Sequence, residues 1–83
     1  MSPTEACRLA AEHHAAGRLD QAQWICEQIL KERPQHAVTL HLLGHILLDR
    51  RDHQGALLRF AEAVALRPDR ASFHNSLGEG LRA

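Results

Sequence analysis

The stretch from Leu40 to Pro68 decides the fold. It reads Leu40-x-x-Leu43-Gly44-x-x-Leu47, then Ala56-x-x-x-Phe60-x-x-Ala63-x-x-x-x-Pro68. Apolar residues three and four apart mark one face of a helix, and each half of the stretch carries such a face. The halves predict two helices, over about Ala37 to Arg50 and about Gln54 to Arg67. Pro68 closes the second, because a proline disfavours helical geometry in the residue before it. Two helices approach closely only where side chains are small, so Gly44 is expected to face Ala56. Leu43, Leu47 and Phe60 should then fill the space around that contact.

The same pattern runs outward with a step of 34 residues. Pro34 and Pro68 stand one step apart, as do Ala22 and Ala56, and Leu9, Leu43 and Leu77 mark three successive steps. Gly78 repeats Gly44, and Ala10 holds the same place upstream, facing Ala22. Ser2-Pro3-Thr4-Glu5 is a capping box with proline at the first helical position, so a helix starts there. Ala6, Leu9, Ala10 and Ala16 follow at helical spacing, and Gly17 supplies the stop. Asp20-x-x-Gln23 is expected to cap a second helix carrying Ala22, Ile25, Cys26, Ile29 and Leu30, which Pro34 ends. Beyond Pro68-Asp69 a fifth helix is expected over roughly Ala71 to Arg82.

A large residue followed by Leu-Gly in one helix, Ala-x-x-x-Phe in the next, a closing proline and this period resemble the tetratricopeptide repeat. The resemblance covers Pro3 to Ala83, nearly the whole chain. It implies an all-α fold, an α-solenoid of two and a half helix–turn–helix repeats in one domain, 1–83. The repeats fall at about 3–36, 37–70 and a half-repeat 71–83, giving five antiparallel helices in a right-handed stack. The first repeat departs from the family pattern. Ala6 stands where a large residue is usual, His13 where an aromatic or Leu is usual, and Cys26 replaces the aromatic. Terminal repeats of solenoids often depart in this way. The third begins with Phe73-His74-Asn75-Ser76-Leu77-Gly78 and stops after one helix, so we expect the chain to be cut from a longer protein. His74 to Glu79 also resembles bacterial repeats found ahead of glycosyltransferase or sulfotransferase domains.

Composition narrows the function classes. Eighty-three residues suit one small domain. Ten Lys plus Arg balance ten Asp plus Glu, which argues against nucleic acid, whose binding rests on cationic contacts to phosphate. Seven histidines make the charge sensitive to pH just below neutrality. No apolar run approaches the ~20 residues of a membrane span. Met1 to Glu5 lacks the regions of a signal peptide. Cys7 and Cys26 form neither a disulfide framework nor a CxxC pair. The expectation is a soluble protein of a bacterial cytoplasm with no cofactor.

In the family, the first helices of successive repeats line a concave groove that takes a peptide or a partner segment. By that resemblance the groove here is lined by Thr4, Cys7, Ala11 and His14, then Val38, His41, His45, Leu48 and Asp49, then Ser72, Asn75, Glu79 and Arg82. This mixed, mildly polar surface suits a peptide backbone. The carboxylate clamp of chaperone-tail binders is absent, since the matching places hold Cys7, Ala11, Leu42, Ser72 and Ser76. The asparagine ladder of the O-GlcNAc transferases is absent too, with Arg8, Leu42 and Ser76 in its place. Trp24 and Leu58, one period apart, with Leu57 suggest an apolar stripe on the convex side. With Leu77 and Leu81 on the unfinished repeat, they predict a self-association surface and a homodimer.

No residue pattern assigns catalysis. There is no phosphate loop, paired-carboxylate motif or nucleophile elbow, and His13-His14 have no partner fixed by spacing. His41 and His45 project from one helical face, with Cys7, His14 and Glu79 as neighbours. His-x-x-x-His alone is common, so no metal is assigned. Three functions remain in order: a non-catalytic interaction scaffold, the N-terminal repeat region of a larger enzyme such as a glycosyltransferase, and a metal-binding module.

Overall fold

The computed structural model describes residues 1–82; Ala83, the end of the expected half-repeat 71–83, lies outside them. Five helices follow one another: α1 (Pro3–Ala15), α2 (Leu19–Glu32), α3 (Ala37–Asp49), α4 (His53–Leu66) and α5 (Ala71–Arg82). The described residues contain no strand. α1 pairs with α2 and α3 with α4, while α3 also rests on α2 and α5 on α4. The architecture is the all-α helical repeat that the 34-residue period predicts.

Local chemistry explains most of the boundaries. Ser2 Oγ accepts a hydrogen bond from the Glu5 backbone N–H at 3.1 Å, so the expected cap of α1 forms. Gly17 ends α1 with φ +82°. The Arg18 N–H then reaches the His13 carbonyl at 2.9 Å and the Gly17 N–H the His14 carbonyl at 3.0 Å. This crossed pair satisfies carbonyls that the helix end leaves open. One period later the Asp52 N–H reaches Leu47 at 2.8 Å and the Arg51 N–H reaches Leu48 at 2.9 Å. The left-handed position of this second turn is held by Arg51, φ 65°, a side chain that disfavours it.

The cap of α2 differs from expectation. Asp20 does not cap it; α2 begins at Leu19 with Arg18 before it and no side-chain cap. The tight turn at Gly17 leaves no residues to spare, so the helix starts one position before Asp20. Asp20 sits in the first turn, where a carboxylate is favourable, and accepts from Arg50 Nη1 at 2.6 Å. The cap of α4 is Asp52, whose side chain accepts from the Gly55 N–H at 3.0 Å.

Packing follows the small residues, with one change of partner. Ala10 and Ala22 are fully buried together with Cys26, Leu43 and Ile46, as the repeat predicts for the first hairpin. In the second hairpin a Cβ on Gly44 would fall 2.6 Å from Phe60 Cδ1 and nearer still to Cε1. Gly44 therefore faces the Phe60 ring, while the expected partner Ala56 is fully buried on the same helix. Cys26 and Phe60 stand one period apart, as do Ala10 and Gly44. The hairpins fill one site two ways, Ala with Cys in the first and Gly with Phe in the second. A second cluster joins Ala37, Leu40, Ala63 and Phe73, and Leu30 touches both clusters. α5 is seated by Phe73, 2% exposed, and by Gly80, where a Cβ would meet Leu57 Cδ2 at 2.9 Å.

Two glycines one period apart should respond with opposite signs. Gly44→Ala drives a methyl into a ring that cannot move aside, and should cost about 1–3 kcal/mol. At Gly78 a Cβ meets nothing within 4 Å, so Gly78→Ala should gain about 0.5–1 kcal/mol in helix propensity. Arg51→Gly should also stabilise, by about 1 kcal/mol, by relieving the left-handed turn. Urea unfolding of the three variants checks all of them.

Candidate functional site

α1, α3 and α5 lie in a row, and side-chain bonds join them along one face. His14 Nε2 on α1 and Asp49 Oδ2 on α3 are 2.6 Å apart. On the other side of α3, His41 Nε2 lies 2.6 Å from Ser76 Oγ of α5, and His45 Nε2 lies 3.2 Å from the same oxygen. Ser76 is buried and was not foreseen as a groove residue. Its only sequence signal is a hydroxyl where the preceding repeat has Leu42. The two histidines share a helix face because they are four residues apart. Aromatic rings fix their orientation: His41 stacks on Phe73 with centroids 4.6 Å apart, and His45 meets Phe60 edge-on at 5.1 Å.

The face is polar at its rim and closed at its floor. Thr4, Ala11, Val38, Asp49, Ser72, Asn75, Glu79 and Arg82 are exposed, while His14, His41, His45 and Leu48 are half-buried. Cys7 is the exception among the groove residues. It is 6% exposed, so it offers nothing to a ligand in this arrangement. Cys26 is core, as expected; burial, then Cys7 and Glu27, push its thiol up to about 12, so it stays protonated. Among the described residues no three His, Cys, Asp or Glu side chains are gathered into a ready metal site.

The apolar residues set apart in the sequence divide between surfaces. Trp24 is 61% exposed and lines a cleft of about 400 Å³ with Met1, Pro3, Ala6, Leu9 and Gln28, at the outer side of the first repeat. Leu58 is 55% exposed, but Leu57 turns toward α5 at Gly80, so it does not extend a stripe with Trp24. Leu81 is 68% exposed and Leu77 half-buried. No helix among the described residues is long and apolar enough to cross a membrane.

Burial, then the neighbouring His45, lowers the His41 pKa from 6.5 to about 4. His45 is lowered by burial, then by His14, while Asp49 and Glu79 oppose the shift. A lowered folded pKa means that the unfolded chain binds the proton more readily. The contribution of His41 is therefore complete above the unfolded value of 6.5 and drains away as pH falls toward 4, and that of His45 is lost in the same direction. Thermal unfolding midpoints should drop steadily over that window, with the His41 ring titrating near 4 by NMR. A His41 midpoint at its ordinary value would contradict the burial assigned to it.

A profile of the tetratricopeptide repeat family matches residues 13–79. No curated protein matches the chain. Among solved structures, a mutant O-GlcNAc transferase from Thermobaculum terrenum superposes with a TM-score of 0.91 at 29% identity. The likeness covers 95% of this chain and 15% of that one, so this chain spans a small part of that enzyme's length. Repeats of this kind generally mediate protein interactions and are not themselves catalytic. With the period, the helix pairs and the profile in agreement, the chain belongs to the tetratricopeptide repeat family.

Proposed function

We propose that this domain is a non-catalytic scaffold that binds a peptide or partner segment along the face formed by α1, α3 and α5. The observation that carries the reading is the row itself. Three first helices, tied by His14–Asp49 and by His41 and His45 with Ser76, present a continuous surface of exposed and half-buried polar groups. An extended chain needs donors and acceptors at intervals, and Asn75, Glu79, Arg82, Asp49 and His14 supply both kinds. Ala11 and Leu48 leave room and apolar cover between them. The near-zero formal charge favours a peptide over nucleic acid. Trp24, Leu58 and Leu81 are separate exposed apolar positions, with Leu77 half-buried beside Leu81, and they suit self-association into a homodimer.

A second reading places the domain in a larger enzyme. The O-GlcNAc transferase likeness supports it, while Arg8, Leu42 and Ser76 depart from that family's asparagine ladder. A catalytic domain continuing in the same reading frame would decide for it, with the groove still serving recognition.

Peptides selected from a random library against this domain test the groove. Asn75→Ala with Asp49→Ala should weaken them by about tenfold or more, as lost charge-assisted bonds do. Trp24→Ala should leave them unchanged. The reverse pattern would move the binding surface to the outer side of α1 and α2.

A further inference from the structure

The polar link between α5 and α3 passes through one hydroxyl. Ser76 Oγ lies 2.6 Å from His41 Nε2 and 3.2 Å from His45 Nε2, and the two nitrogens stand 3.2 Å apart. The rest of the seating of α5 is apolar. Phe73 joins the cluster of Ala37, Leu40 and Ala63, and Gly80 fits against Leu57. A neutral imidazole carries its hydrogen on one nitrogen only, and a hydroxyl both donates and accepts. One ring therefore donates from Nε2 to Oγ, and Oγ donates to the bare Nε2 of the other. Every polar atom that meets in this cluster is then served.

Protons added to it act in two unequal steps. The first goes to Nδ1 of the donating ring and leaves both bonds as they are. The second can go only to the accepting Nε2. Both nitrogens are then donors, the hydroxyl hydrogen has no acceptor between them, and two cations face each other across 3.2 Å. Like charges this close oppose the arrangement that holds them together. The groups around the rings are few. His14 from α1 opposes protonation of His45, while Asp49 on α3 and Glu79 on α5 favour it, and Asp49 is itself bonded to His14. Phe60 from α4 and Phe73 from α5 pack against the rings and bring no charge. Burial, then the neighbouring His45, holds His41 at about 4, so the second step falls near that pH.

We propose that His41, His45 and Ser76 form an acid-released latch, which fastens α5 to α3 while at least one imidazole is neutral and frees α5 when both are protonated. Among the described residues α5 packs against the second hairpin and not the first, so it can open locally while the other helices stay folded. Its release withdraws Asn75, Glu79 and Arg82 from the α1–α3–α5 face. Loss of a bound peptide in acid rests on the peptide reading; the detachment of α5 does not.

Amide-exchange protection factors of the free protein at pH 7 and pH 3.5 test the latch, with no ligand present. In acid, protection of α5 should fall by about tenfold or more beyond that of α1 to α4, the effect of a single pKa unit. His45→Gln leaves one imidazole and every carboxylate in place, so the doubly protonated state cannot form, and α5 should stay protected in acid. Ser76→Ala should lower α5 protection at pH 7 and remove most of the further fall. Should His45→Gln fail to fold, His41→Gln carries the same expectation. Protection of α5 that acid leaves unchanged overturns the proposal. So does protection lost in step across all five helices, or a His45→Gln variant whose α5 opens in acid as the wild type does.

Discussion

The approach of α3 to the Phe60 ring is the constraint on which the second hairpin depends. Gly44 removes the one atom that would keep the ring out, and the ring in turn forms a wall for His41 and His45. Widening the gap by a methyl group would disturb the interior and the α1–α3–α5 face together. Packing at protein density transmits such a change, because no slack separates the two. The floor of the groove is thus the back of the core.

How much of this could be read from residues follows from what each signal measures. Apolar spacing reports which face of a helix is covered, so the five helices and the stacking period were legible from Leu9, Leu43, Leu77 and the two prolines. Small residues report that something comes close, without saying what. Gly44 announced a contact, and the structure shows the Phe60 ring as its nearest neighbour. Capping patterns behave likewise. Asp20-x-x-Gln23 fits a start signal, yet a three-residue turn fixed by Gly17 begins the helix earlier and gives Asp20 to Arg50 instead.

The site was legible in outline and not in its connections. The family resemblance assigned His14, His41, His45 and Asp49 to one face, and the structure brings His14 to Asp49 and His41 to His45. The bonds joining them run between residues 31 to 35 positions apart, and no periodicity encodes which side chain meets which. Ser76 shows the difficulty best. A hydroxyl on a helix is ordinarily a solvated group, and it becomes a hub only because α5 turns it toward two imidazoles. Cys7 errs the other way. By resemblance its place belongs to the groove, but its side chain is buried.

The alternate filling of the two hairpins carries a consequence for how such chains diversify. A graft placing α4 against α1 would press Phe60 onto Ala10, and one placing α2 against α3 would leave Cys26 opposite Gly44 with a ring-sized hollow. Individual helices are therefore not exchangeable cassettes. The heritable unit is the hairpin with its matched pair, and recombination between arrays of this kind is viable where the breakpoints fall at Pro34 and Pro68 and keep each pair intact.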